Sequence, residues 1–289
     1  MFKEILGNVR TVSPLIHNIT NYVTANDCAN ILLACGGSPI MADDPEEVEE
    51  ITSLCGGLNI NIGTLNKRTI PSMHKAGKRA NELGHPVVLD PVGAGASVLR
   101  TQTAVELVQD VKFTVIRGNI SEIKTLAAGC HALQKKQTEA LIEESGASRG
   151  VDANVADTVT RENLPQTIAF IKEFARMTNS VIVVTGAIDI VADDTKAYCI
   201  FNGHPMMSSI TGTGCQLSSL ITAYITANPA VPLEAAAAAV CAMGVCGEKA
   251  HQRLSKLDGN ASYRNYIIDA VYNLDGEELE RCARYEIYE

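Results

Sequence analysis

Three stretches of this sequence are apolar without a break and then stop on a residue that can do chemistry. Pro86-Val87-Val88-Leu89-Asp90 ends on a carboxylate, Phe113-Thr114-Val115-Ile116-Arg117-Gly118 on a cation, and Val181-Ile182-Val183-Val184-Thr185-Gly186 on a hydroxyl. Solidly apolar strands are expected where a sheet is covered on both faces. Leu15–Ile19, Ser38–Ala42 and Leu58–Gly63 read as further strands, the last with period-two alternation. Helical patterns lie between them. One carries Val23, Cys28, Ile31 and Leu32 on a single face and ends at Gly36-Gly37. A second opens with the acids Asp43 to Glu47, and a third runs from about Lys67 to Leu83. Such βα alternation predicts an α/β fold, a central mostly parallel sheet with helices on both faces. Ile188–Ala192 and Ala197–Asn202, separated by Asp193-Asp194-Thr195, read as a hairpin added to that sheet. After Gly214 the chain turns helical, over about Cys215–Thr226, Leu233–Arg253 and beyond Gly259. No linker or compositional break divides it, so residues 1–289 are expected to form a single domain.

Composition narrows the function by exclusion. With a net charge of −9 the chain is a poor nucleic-acid partner. No apolar run approaches a membrane span, and the opening Met-Phe-Lys-Glu-Ile-Leu lacks a leader pattern. Nine cysteines without a CxxC pair read as free thiols in a reducing cytoplasm. An anionic substrate would then need local help from a metal, an arginine or helix dipoles.

That help is visible in Ile210-Thr211-Gly212-Thr213-Gly214-Cys215-Gln216-Leu217-Ser218. The stretch reads as a glycine loop turning into a helix. Glycines let backbone approach a ligand closely, and the unpaired N–H groups of a helix start make an anion seat. Cys215 stands at its mouth, where a helix N-terminus would lower a thiol pKa. The plain alternative is an ordinary helix start with Thr213 as cap. In open α/β sheets ligands collect at the carboxyl ends of strands. Here those ends carry Met41, Gly63, Asp90, Arg117 and Thr185. A carboxylate, a guanidinium, a hydroxyl and a glycine-rich helix start on one edge suit Mg-nucleotide and phosphoryl transfer. Each residue also has a structural reading. Asp90 before Pro91 can cap a turn, Glu122 can be a first-turn acid, and Arg117 can pair with a surface carboxylate. Thr185 can be a turn hydroxyl, Met41 core filling, and Asn21 a helix cap. His17 and His204 read as satisfied structural groups.

Six motifs in this order carry a resemblance over nearly the whole chain: His17-Asn18-Ile19-Thr20-Asn21, Pro39-Ile40-Met41-Ala42, Asn61-Ile62-Gly63-Thr64-Leu65, Asp90-Pro91-Val92-Gly93-Ala94-Gly95, Arg117-Gly118-Asn119 with Glu122, and Thr211-Gly212-Thr213-Gly214-Cys215. Together they resemble the hydroxyethylthiazole kinases, the thiamin-salvage branch of the ribokinase-like superfamily. The resemblance implies phosphorylation of the hydroxyethyl group of 4-methyl-5-(2-hydroxyethyl)thiazole by ATP with Mg²⁺. It implies thiazole contacts at Met41, Gly212 and Asn21, ATP contacts at Arg117 and Thr185, and acids around the magnesium and phosphates at Asp90 and Glu122. Cys215 falls where most ribokinase-like enzymes place an aspartate base. A homotrimer with active sites between subunits is implied as well. A stretch of roughly Gly129–Ser148, rich in Lys, Gln and Glu, departs from the family pattern and is expected on the surface. A thiol enzyme with Cys215 as nucleophile, a non-catalytic nucleotide-binding module and a hydroxymethylpyrimidine kinase remain the alternatives.

Overall fold

The computed structural model describes residues 1–142 and 159–289 of the chain. The chain opens with helix α1 (Phe2–Val12), whose Phe2, Ile5, Leu6 and Val9 follow helical spacing and are buried together. Strand β1 (Leu15–Ile19) follows, then α2 (Ala25–Cys35), β2 (Ser38–Met41), α3 (Val48–Leu54), β3 (Gly57–Asn61), α4 (Thr69–Leu83) and β4 (Val87–Asp90). The alternation continues through α5 (Val98–Asp110), β5 (Val115–Asn119), α6 (Ile120–Ile142), α7 (Leu164–Thr178) and β6 (Val181–Thr185). The hairpin β7 (Asp189–Ala192) and β8 (Ala197–Ile200) comes next. Helices α8 (Thr213–Ala227), α9 (Pro232–Arg253), α10 (Asn260–Asn273) and α11 (Gly276–Cys282) and strand β9 (Tyr285–Tyr288) complete the order.

The sheet runs β2-β1-β3-β4-β5-β6-β7-β8-β9. From β2 to β6 all neighbours are parallel; β7, β8 and β9 are antiparallel additions. This is the mostly parallel sheet that the apolar strands predict. Helices α1, α2 and α8 to α11 pack on one face, and α3 to α7 on the other. The order reverses between β1 and β3, the kind of switch point where an open sheet leaves a crevice beyond its strand ends.

Some local readings need correction. Val23 precedes α2 and is 55% exposed, so it does not share the buried face of Cys28, Ile31 and Leu32. Strand β3 alternates, but both faces are buried. Leu58 and Ile60 face the core under α4, while Asn59 and Asn61 face α8. The stretch from Gly129 to Ser148 is not wholly surface: Cys130 is buried, and Gly129 lies so close to Val105 that an added Cβ would meet it at 2.5 Å. Its residues from 143 onward lie outside the described residues. All nine cysteines are unpaired. Among the described residues no helix is long and apolar enough to cross a membrane.

Candidate active site

Helix α8 begins at the centre of the sheet edge. Its N-cap is Gly212, with φ +84, a left-handed conformation that L side chains adopt only under strain. Thr24 crowds the same place: a Cβ on Gly212 would lie 2.3 Å from its methyl. Thr213 is therefore the first helical residue, not the cap, and its hydroxyl donates to the Met207 carbonyl at 3.4 Å. At Gly214 the requirement is space, because a Cβ there would stand 2.4 Å from Arg117 Nη1. The guanidinium lies flat against the first turn of the helix.

The strand ends meet this turn. Register sets Asn61 beside Asp90 and Asn119 beside Thr185. Asp90 is fully buried, and its Oδ2 accepts from Asn61 Nδ2 at 2.8 Å and Ser218 Oγ at 2.7 Å. Arg117 Nη1 lies 3.5 Å from the same oxygen, and Arg117 Nη2 donates to Thr185 Oγ1 at 2.6 Å. Burial nonetheless pushes the Asp90 carboxyl up to about 6, against the help of Arg117, Ser218 and Asn61. The nearby charge of Glu122 adds to the rise, and Asp90 Oδ1 is buried without a hydrogen-bond partner.

Cys215 sits in the first turn of the helix, 7% exposed. Its Sγ accepts from Asn21 Nδ2 and Asn61 Nδ2, each at 3.2 Å. The expectation of a lowered thiol pKa is wrong in direction. Burial raises it, and the negative charge of Asp90 adds to the rise, outweighing the amide donors. The sequence shows the helix start but not the carboxylate facing it.

Glu122 does both things its position allows. Its Oε2 accepts from the Asn119 backbone N–H at 2.9 Å, and Asn119 Oδ1 accepts from the Glu122 N–H at 2.9 Å. That is a reciprocal capping box at the start of α6. The other oxygen, Oε1, accepts from Gly93 N at 2.8 Å and so ties the Asp90-Pro91-Val92-Gly93 turn to α6. Arg100 holds the turn from the other side, donating to the carbonyls of Val92 at 3.4 Å and Gly63 at 2.6 Å.

Two clefts open from this edge. The larger, about 540 Å³, is lined by Arg117, Thr185, Gly214, Asp189, His204 and Met243, among others. His204 is thus more than a structural group: it stacks on His251 with ring centroids 3.6 Å apart and also walls the cleft. His17 is the satisfied residue expected, bonded to Thr52 Oγ1 at 2.9 Å and the Ala42 carbonyl at 3.0 Å, with burial pushing it down to about 4. The smaller cleft, about 220 Å³, lies at the β1–β3 switch and is lined by Asn18, Thr20, Tyr22, Met41 and Asn61. Cys215 bonds to residues on this side, while Gly214 next to it lines the other cleft. The structure therefore gathers Asp90, Arg117, Thr185, Gly212, Cys215 and Asn21 around one helix turn. Met41 stands apart on the rim of the smaller cleft, and Glu122 stands behind the Gly93 turn.

Four residues of this edge escaped the sequence reading. Asn61 and Ser218 each carried a readable sign, a polar residue inside an otherwise apolar pattern. Asp189, whose carboxyl accepts from Gly186 N at 2.9 Å, reads only as the start of a hairpin strand. Arg100 shows no local sign at all.

The arrangement offers an anion seat, a cation, a buried carboxylate with a free oxygen and a thiol between two clefts. That is equipment for moving a phosphoryl group between two bound molecules. Comparison with known proteins agrees. Residues 6–277 match the model of the hydroxyethylthiazole kinase family. A hydroxyethylthiazole kinase of Clostridium acetobutylicum is 64% identical over 288 residues, covering 100% of both chains. One from Desulfovibrio desulfuricans is 45% identical, covering 96% of this chain and 95% of its own. The solved hydroxyethylthiazole kinase protein from Pyrococcus horikoshii superposes with a TM-score of 0.81 at 33% identity, covering 100% of this chain and 99% of that one. A pyridoxal kinase from Staphylococcus aureus, solved with ADP, shares the fold with a TM-score of 0.59 at 14% identity. On its sequence and its fold alike, this chain belongs to the hydroxyethylthiazole kinase family.

Proposed function

We propose that the two clefts are the two substrate sites of one ATP-dependent transfer, to the hydroxyl of 4-methyl-5-(2-hydroxyethyl)thiazole. The observation that carries this division is the position of Cys215 and the first turn of α8 between them. ATP occupies the larger cleft, with its phosphates against Arg117, Thr185 and the N–H groups that follow Gly212. The thiazole alcohol occupies the smaller one, against Met41 and Asn21 and under the Gly212 turn. Residues 1–289 act together as one kinase domain.

Mg²⁺ fits the acids present. Among the described residues no group of three His, Cys, Asp or Glu side chains could cage a metal. Magnesium seldom needs such a cage: it keeps several waters and takes one or two carboxylates plus substrate phosphates. Asp90 Oδ1, buried and unpartnered, is the natural direct ligand. Glu122, with both oxygens already accepting backbone N–H groups, would hold a coordinated water instead. Held there, the ion would supply charge neutralisation to a bound phosphate.

Cys215 is the base toward the alcohol, but a modest one, since its thiol is raised and largely protonated at rest. A loose transition state needs little early proton removal, so positioning by Arg117 and the helix start carries most of the reaction. Tyr22 at 81%, Val23 at 55% and Met41 at 38% exposure leave an apolar rim at the mouth of the smaller cleft. A second copy of the chain packed there would exclude water, which supports self-association with sites between subunits, as in the homotrimer that the family resemblance implies. Nine unpaired cysteines favour a cytoplasmic setting.

The test is ADP release with ATP and Mg²⁺ across two alcohols. Turnover with the thiazole alcohol and little with hydroxymethylpyrimidine is expected. The reverse preference would assign the smaller cleft to the pyrimidine, and ADP release independent of either alcohol would leave only an ATPase. Sedimentation at micromolar protein should give three chains per particle.

A further inference from the structure

Asn61 makes four hydrogen bonds and is 1% exposed. Its Oδ1 accepts from Gly63 N at 2.9 Å, and a backbone N–H can only donate. That fixes which end of the amide is which. Both Nδ2 protons then point the other way, one to Asp90 Oδ2 at 2.8 Å and one to Cys215 Sγ at 3.2 Å.

Asn21 is fixed by the same logic. Its Oδ1 accepts from Thr24 N at 3.1 Å, so its Nδ2 must donate, to Asn61 Oδ1 at 3.0 Å and to Cys215 Sγ at 3.2 Å. A one-way chain of donors thus starts at two backbone N–H groups and ends on the sulfur and the carboxylate. The sulfur is faced by two N–H donors and no acceptor from these amides. Its own proton, when present, must point elsewhere, and its electron pairs are held in a set direction.

We propose that Asn61 is a positioning residue for the transfer: it locks the Cys215 sulfur as an acceptor and holds it in a fixed relation to Asp90, so that the base and the phosphate-side carboxylate meet the substrates in one frame. This rests on reading Cys215 as the base. Placement at this tolerance matters because small displacements at a reacting centre cost large factors in rate. Asn61 sits on β3 between the two, and among the described residues its amide is the one group hydrogen-bonded to both.

The test is a double-mutant cycle on the full chain with Asn61→Asp and Cys215→Ala. Asn61→Asp keeps the shape and replaces the two donors with an acceptor. It should lower kcat on the order of 10²-fold, the usual scale for a lost preorganised donor, while KM for ATP stays near the parent value. In the Cys215→Ala background the same change should cost much less, because the group it positions is gone. Asn61→Ala, which adds no charge, should show the same loss of effect in that background. An equal factor in both backgrounds, or a parallel rise in KM for both substrates, overturns the proposal. That failure is distinct from failure of the base reading, which would show as a normal rate for Cys215→Ala alone. Thermal melts of each variant separate misfolding from misplacement.

Discussion

Arg117 lies 3.5 Å from the Asp90 carboxylate, on the strand next to it, and spends its other terminal nitrogen on Thr185 at 2.6 Å. One guanidinium therefore ties the buried acid to a residue that lines the larger cleft. Removing one partner of a buried pair leaves the other uncompensated. Asp90 already lacks a partner on one oxygen, so it is poorly placed to lose more.

Arg117→Ala should raise KM for ATP by an order of magnitude or more and change KM for the thiazole alcohol little. A charge-assisted contact to phosphate is worth about 1.5–3 kcal/mol, roughly ten- to a hundredfold. Arg117→Lys should recover only part, since a point charge cannot hold Thr185, Asp90 and a phosphate at once. Initial rates over both substrates measure this, and equal losses for both would point to a damaged fold.

Gly214→Ala should imitate that lesion without touching the arginine. The new methyl would take the place of Arg117 Nη1, 2.4 Å away, and the guanidinium would swing aside. Alanine is otherwise favourable within a helix. The melting temperature should hold while KM for ATP rises severalfold. A variant that instead unfolds would mean that the guanidinium cannot move.

The contrast between Gly214 and Asn61 shows what the sequence could and could not tell. Glycines at 212 and 214 followed by an apolar run announce a helix start, and the strand ends at Asp90, Arg117 and Thr185 place the edge beside it. The Asn119-to-Glu122 spacing is a local capping signal as well. Helix α1 carries a plain helical pattern at Phe2, Ile5, Leu6 and Val9, legible in the sequence from its spacing alone. Strand β9 is short and at the edge, with too little apolar surface to announce itself. The state of the Cys215 thiol is not legible locally, because it depends on burial and on Asp90, far away in sequence. Asn61 reads as one polar tooth of an alternating strand. Only the arrival of α8 on that face turns the polar side of β3 into the floor of the site.

Asp189 gives a pH-dependent prediction. Burial pushes its carboxyl from 3.8 up to about 7, against the Gly186 N–H bond and the charge of Arg117. Between those values the folded chain keeps a proton that the unfolded chain has released, so folding stability falls as pH rises through that window. Asp189→Asn keeps an acceptor for the Gly186 N–H and has no proton to lose. The ligand-free variant should melt a few degrees above the parent at pH 8, with the difference shrinking toward zero as pH falls to about 4. A difference that grows on acidification would reverse the sign and refute the proton-holding carboxyl.

Cys215 carries the sharpest prediction. Its thiol is raised by burial and by Asp90, so little thiolate stands ready in the resting site. General-base help is worth at most about 10²–10⁴-fold, and a loose phosphoryl transfer draws on the low end of that range. Cys215→Ala should therefore slow kcat yet leave activity that depends on Arg117 and the helix start. Cys215→Asp would present a carboxylate to the same two amide donors, Asn21 and Asn61. It would also set that carboxylate against the charge of Asp90, which already opposes a negative sulfur. The aspartate variant should thus stay active without surpassing the parent at neutral pH, and approach it as Mg²⁺ is raised and the Asp90 charge is offset. The measurement is kcat for the three proteins over a magnesium series, with mass spectrometry of the intact chain after turnover. A rate unchanged in the alanine variant would remove the base from the mechanism. A phosphorylated cysteine would replace direct transfer with a covalent route.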